Sequence, residues 1–247
     1  MGELVKEYYG KELIQKQLLQ QLIGKHLPRI IAFVGGGGKT TAIFFLAETL
    51  QMQGYKVIVT TTTHMHRTRD FILPDHLSNI ASVLDKRGIV FTGFLEEDGK
   101  ITGNNDLIER LLSMCDVVLV EADGARCQPV KAPEQWEPVI PRKTELVIGM
   151  AGCLALGKRI DTASHRPAIV SDLLRKKKSQ VFTWRDLVFL LSDIKGQKKG
   201  VHCPYAVLIG QADQASPKVL SHMLLEFKQQ EVTSFAVSFY KECLWRI

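Results

Sequence analysis

The run Gly35-Gly36-Gly37-Gly38-Lys39-Thr40-Thr41 gathers residue types that can hold an anion. Glycines lacking side chains let successive backbone N–H groups converge, and a helix starting at the lysine adds its positive end. The ligand this geometry predicts is a nucleoside triphosphate, ATP or GTP, with Mg²⁺. Lys39 would reach the β- and γ-phosphates, the Thr40 hydroxyl would ligate the metal, and Gly35 to Gly38 with Thr41 would complete the cradle. The run departs from the G-x-x-x-x-G-K-[ST] pattern, because Phe33 occupies the first glycine position and only Val34 separates it from Gly35. A dinucleotide fingerprint fails, since it requires glycine where Thr40 stands. A purely structural tight turn is the competing reading.

Other chemistry-bearing residues follow apolar runs. Glu121-Ala122-Asp123-Gly124 comes directly after DVVLV. Carboxylates emerging beside a phosphate turn are suited to support Mg²⁺ and to orient an attacking water, and the Gly124 N–H suits a γ-phosphate. Glu121 and Asp123 are therefore candidate catalytic and metal-side acids, and spacing alone does not say which meets the metal. Thr60 to Thr63 supply hydroxyls, and His64 and His66 share one face if the strand continues, although a metal site there lacks a third ligand. The segment 125–142 (ARCQPVKAPEQWEPVIPR) contains four prolines. It reads as an ordered loop in which Lys131, Glu134 and Glu137 are candidate substrate or partner contacts, or else as a plain cover over the sheet. Asp213, in IGQAD, stands where a guanine-recognising aspartate would follow a strand, and a turn aspartate is the alternative. His165-Arg166-Pro167 reads as a helix start, with Arg166 also a candidate phosphate-facing cation.

Elements that must carry these residues are legible as well. Residues 29–34 (RIIAFV) form a strand that meets the glycines, and TTAIFFLAETLQMQ reads as a helix buried on most sides. Residues 55–63, 116–120, 145–150 and 205–209 read as further buried strands, and 234–240 as the last. Residues 104–114 read as a helix. Ile89 to Thr92 with GFLEEDGKITG reads as a hairpin insertion turning at Asp98-Gly99. Leu13, Ile14, Leu18, Leu22 and Ile23 recur at helical spacing through 11–25, giving an amphipathic N-terminal helix closed off by Pro28. Strands alternating with helices predict an α/β fold with a mostly parallel sheet and its ligand site at the carboxyl ends of the strands.

Composition bounds the rest. A chain of 247 residues fits one α/β domain over 1–247, with 1–28 as a helical extension. Five widely spaced cysteines without a C-x-x-C pair indicate reduced thiols rather than a disulfide framework or zinc knuckle. No run approaches the roughly 20 apolar residues that span a bilayer, and the N-terminus lacks an apolar signal core, so a cytoplasmic chain without membrane contact is expected. The net charge of +6 is partly local, in 175–178 and 195–199, without interleaved aromatics, which argues for solvated loops rather than nucleic-acid binding.

VGGGGKTT, VIVTTTTHM, VLVEADGARCQPVKAPEQWEPVIP and LGKR followed by SHRPAIV, in that order, resemble the YqeC-type family of accessory proteins for selenium-dependent molybdenum hydroxylases. The resemblance is strong over about residues 29–170, and its third segment is the most specific. It implies a P-loop NTPase-like three-layer α/β/α sandwich with an N-terminal helix, akin to homodimeric nucleotide-binding accessory proteins. It also implies a client molybdenum hydroxylase, or that enzyme's cofactor-maturation proteins, as partners. Together these readings give an ATP- or GTP-binding accessory NTPase with Lys39, Glu121 and Asp123 at its centre. The alternatives are a small-molecule kinase or phosphate-activating synthetase, and a non-catalytic nucleotide-sensing partner. Cys127 and Cys153 could handle a chalcogen or be inert thiols.

Overall fold

Continuous aliphatic and β-branched runs become the buried strands of one large sheet. A computed structural model of the chain describes residues 6–23, 26–66, 71–75 and 77–247. Its main sheet contains β1 (Lys6–Tyr9), β2 (Ile30–Gly35), β3 (Val57–Thr61), β4 (Phe71–Ile72), β5 (Ile89–Thr92), β6 (Val117–Glu121), β7 (Leu146–Gly152), β8 (Tyr205–Gly210), β9 (Thr233–Ser238) and β10 (Cys243–Arg246). The order across the sheet is β1-β10-β9-β8-β7-β2-β6-β3-β5-β4. Every pairing from β9 to β4 is parallel, and β10 runs antiparallel to both β9 and β1. A parallel sheet must be covered on both faces, which is why its central strands carry hardly a polar residue before their carboxyl ends.

Eight helices are described: α1 (Lys11–Leu18), α2 (Lys39–Met52), α3 (Leu77–Arg87), α4 (Asn105–Leu111), α5 (Ile160–Ala163), α6 (Pro167–Leu174), α7 (Trp184–Ser192) and α8 (Pro217–Gln229). Alternate strand residues divide them between the faces. Ile31, Phe33, Val57, Val59, Val117 and Leu119 pack with Ile14 and Leu18 of α1 and with Ile43, Leu46 and Leu50 of α2. Their neighbours Ile30, Ile58, Val118 and Val120 pack instead with Ile80 and Leu84 of α3 and Leu107, Ile108 and Leu111 of α4. Farther along that second face, Val207, Ile209 and Ala236 pack with α7 and α8. The architecture is helices, sheet, helices.

Several local expectations change. Ile89–Thr92 is not part of a hairpin insertion: it pairs in parallel with β3 inside the main sheet. The hairpin proper is Phe94–Leu95 with Lys100–Thr102, and Met65–His66 adds a third antiparallel strand to it. β2 and β3 are joined through α2, and β6 lies between them in the sheet. The N-terminal helical pattern resolves into α1 followed by a π-helical turn at Leu19–Ile23, preceded by β1; residues 24 and 25 of the expected helix lie outside the described set. No helix among the described residues is long and apolar enough to cross a membrane. All five cysteines are free, with Cys115, Cys153 and Cys243 buried and Cys127 exposed.

Candidate functional site

β2 ends at Gly35 in the middle of the sheet, flanked by β6 and β7, so the glycine turn emerges between two carboxyl strand ends. Its backbone needs glycine. Gly35, Gly37 and Gly38 have φ of 101°, 74° and 105°, a region that side chains disfavour. A Cβ on Gly37 would lie 2.2 Å from the Gly152 nitrogen, and one on Gly36 2.7 Å from the Gln128 carbonyl oxygen. The turn is wedged between β7 and the segment that follows Asp123.

Three of its N–H groups are already engaged. Gly36 donates to the Met150 carbonyl at 2.9 Å and Gly37 to the Gln128 carbonyl at 3.2 Å. Gly35 donates to both oxygens of Asp123, each at 3.0 Å. The cradle expected from Gly35 to Gly37 is thus a set of internal ties. Among the described residues the N–H groups of Gly38, Lys39, Thr40 and Thr41 have no protein acceptor, and α2 has no side-chain cap at Gly38. These four donors surround the positive end of a 14-residue helix, where an anion is stabilised.

β6 delivers the acids. Glu121 pairs in register with Phe33 on one side and Thr61 on the other. Its Oε2 accepts the Thr40 hydroxyl at 2.9 Å, and the Lys39 ammonium is 3.9 Å from its Oε1. Burial raises the Glu121 carboxyl above the ordinary glutamate range, and Lys39 and Thr40 offset only part of that rise. Asp123 is fully buried and lies between two ammonium groups, Lys39 at 3.1 Å and Lys131 at 3.1 Å. The two acids left open by spacing therefore have different surroundings: Glu121 faces the helix hydroxyl, while Asp123 is occupied by the turn and the lysines.

The proline-containing segment supplies a network that spacing does not reveal. Lys131 has no exposed side-chain surface and contacts Glu137 at 2.8 Å, and its Nζ also donates to the Gly124 carbonyl at 2.9 Å. Arg166, at φ 60°, hydrogen-bonds Glu137 and lies 3.3 Å from Glu134. Burial alone would raise the Glu137 carboxyl, but the hydrogen bonds from Arg166 and Lys131 prevail and hold it below the usual range. Gln197, itself buried, donates to the Lys131 carbonyl at 2.8 Å, and Lys199 donates to the Gln135 carbonyl at 2.8 Å. Lys199 is thus a strap on this segment rather than one more solvated charge.

The remaining candidates are more peripheral. The Gly124 N–H has no acceptor among the described residues. Asp213 sits half-buried in the turn Ala212–Gln214 after β8, accepting from Gln214 at 2.7 Å. That strand end abuts the glycine turn, since a Cβ on Gly210 would lie 2.1 Å from the Gly37 carbonyl oxygen. His64 Nδ1 is 2.5 Å from Glu96, and the His66 side chain lies outside the described set. No group of three or more His, Cys, Asp or Glu side chains suited to a metal occurs among the described residues. A cavity of about 610 Å³ lined by His64, Leu95, Glu96 and Lys100 shares no residue with the glycine turn. Burial pushes the Cys153 thiol up to about 12, so it stays protonated.

Residues 31–168, which contain the glycine turn, both acids and the lysine–glutamate network, match the family model described as YqeC protein. This chain belongs to the YqeC family. A relative from Escherichia coli (strain K12), named only as an uncharacterised YqeC protein, is 34% identical over 214 residues, covering 82% of this chain and 84% of its own. The family assignment spans the candidate site, and it leaves the site's chemistry to be argued from geometry.

Proposed function

We propose that this YqeC-family chain binds a nucleoside triphosphate with Mg²⁺ at the start of α2 and hydrolyses it, in a P-loop NTPase-like fold. The observation that carries this reading is the quartet of N–H groups from Gly38 to Thr41, which have no acceptor among the described residues and cluster with Lys39 at one helix terminus. Such a terminus accommodates phosphate oxygens, and Lys39 extends the same positive field. The donor set also fits a hard cation. Thr40 and Glu121 present two oxygens 2.9 Å apart, and Mg²⁺ commonly takes one or two protein ligands and completes its shell with phosphates and water.

In this reading Mg²⁺ would neutralise charge on the phosphates, held by Thr40 and Glu121. Asp123 fixes the glycine turn through Gly35 and lies 3.1 Å from the Lys39 ammonium. In this reading the Gly124 N–H, without an acceptor among the described residues, would meet the terminal phosphate, and Asp213 would contact the base. Within the 125–142 segment, Lys131, Glu134 and Glu137 pair with one another's partners, which favours hydrolysis over transfer to an acceptor bound there. By family resemblance, turnover serves maturation of a selenium-dependent molybdenum hydroxylase. Calorimetry with ATP and GTP tests the core of the proposal: Lys39→Ala should remove binding while the chain stays folded. Unchanged affinity in that variant would sink it.

A further inference from the structure

Six charged side chains form a continuous alternating chain from the glycine turn to the surface. Lys39 meets Asp123 at 3.1 Å, Asp123 meets Lys131 at 3.1 Å, and Lys131 meets Glu137 at 2.8 Å. Glu137 meets Arg166, which also contacts Glu134 at 3.3 Å. The four inner members are buried, whereas Arg166 and Glu134 are partly exposed. Glu134 and Glu137 close one turn through a 3.1 Å backbone hydrogen bond, and of the two residues they enclose, Trp136 is 70% exposed.

Nucleotide binding as read above needs neither Lys131 nor Glu137, and a buried ion-pair chain is a poor way to gain stability alone. It is, however, a structure in which one charge cannot leave without the others reorganising. Lys39 is held by Asp123 and the Gly35 carbonyl, so phosphates must draw it away. Asp123 then retains the Gly35 N–H and Lys131 as partners. Lys131 is shared with Glu137, and a stronger claim by Asp123 weakens the tie to Glu137, leaving Glu137 to Arg166.

We propose that this charge chain couples the glycine turn to the Glu134–Glu137 turn, so that phosphate binding at Lys39 repositions Trp136 on the surface. The coupling rests on the nucleotide reading and makes the proline-containing segment its output.

Acrylamide quenching of Trp136 fluorescence, isolated by subtracting the Trp136→Phe protein, tests it. The probes are the imido analogues of ATP and GTP with Mg²⁺, each at a saturation set by calorimetry. In the unaltered chain the bound analogue should change the quenching constant of Trp136 by about twofold or more. Glu137→Gln, and independently Arg166→Gln at the partly exposed end, should bind the analogue with affinity within about threefold of the unaltered chain and lose that response. Thermal unfolding verifies that each variant is folded, and the Arg166 variant stands if the buried one is not. Analogue binding with no change at Trp136, or an equal change in both variants, overturns the coupling. Absence of binding by either analogue removes the nucleotide reading itself, and the coupling with it.

Discussion

Asp123 receives the Gly35 N–H on both of its carboxylate oxygens, each at 3.0 Å, and so ties the end of β6 to the first residue of the glycine turn. Glu121, two residues earlier, faces Thr40 instead. On the proposed reading, two acids on one strand end divide the work: one holds the turn, and the other would serve the cation. Asp123→Asn should lower triphosphate affinity at least about tenfold with or without Mg²⁺, because the turn loses its anchor and two lysines lose a buried partner. Glu121→Gln should keep the Mg²⁺-independent part of the affinity and lose turnover. Calorimetry with and without Mg²⁺, beside phosphate-release rates, separates the two; identical profiles would refute the division.

A pH dependence follows from Glu121. Burial raises its carboxyl above the usual value of about 4.3. A proton is therefore bound more tightly in the folded chain than in the unfolded one, so this group's ionisation opposes folding and its penalty is relieved as pH falls through the raised pKa. On the proposed reading the same proton would compete with Mg²⁺. The Mg²⁺-dependent gain in nucleotide affinity should fall on acidification at a pH above the ordinary glutamate range, and Glu121→Gln should abolish that step. Titrating the affinity difference against pH checks both.

The glycines of the turn are not equivalent. Gly37 has both a positive φ and backbone atoms of Gly152 within 2.5 Å of where a Cβ would sit, whereas a Cβ on Gly38 would meet nothing within 4 Å. Gly38→Ala should cost only the backbone strain, about 1–3 kcal/mol. Gly37→Ala should cost more, since a packed backbone must also move, and should remove nucleotide binding. Urea denaturation of both variants measures the ordering.

Lys131 is the hinge of the buried charges. Lys131→Met fills similar volume but leaves Asp123 and Glu137 without their common cation. A loss of up to about 3–5 kcal/mol is expected, because each buried carboxylate loses one of its two cations. Combining it with Glu137→Gln should restore part of that loss, because one under-compensated buried charge is then removed. A double variant no more stable than the single one would contradict the pairing.

The sequence made the central strands visible because strands buried on both faces are unbroken apolar runs, as in IIAFV and VVLV. The glycine turn was visible because its residue types serve one geometry. Short pieces were not. Ile89–Thr92 looks the same in a hairpin as in a parallel ladder, and only its pairing with Val57 to Val59 decides. Within the site, the acid next to Thr40 depended on which side of the strand end each carboxylate leaves, which spacing of two residues does not fix. The ties from Asp123 to Lys131 and from Glu137 to Arg166 join residues by tertiary packing, and no local pattern marks them. The segment's richness in proline and charge was the one available signal, and it suggested substrate or partner contacts, or a plain cover, rather than ties among these residues.

At the far edge of the sheet, Lys6 lies opposite Arg246 and Tyr9 opposite Cys243. In kinetic terms this ladder closes the longest loop between any two paired strands among the described residues, so its pairing is expected late, after the parallel centre has gathered. During synthesis β1 must wait for β10, the last of the described strands in chain order, and until then the β9 edge stands open to other chains. The order in which the chain is made therefore protects the glycine turn, at the sheet's middle, well before it protects the sheet's margin.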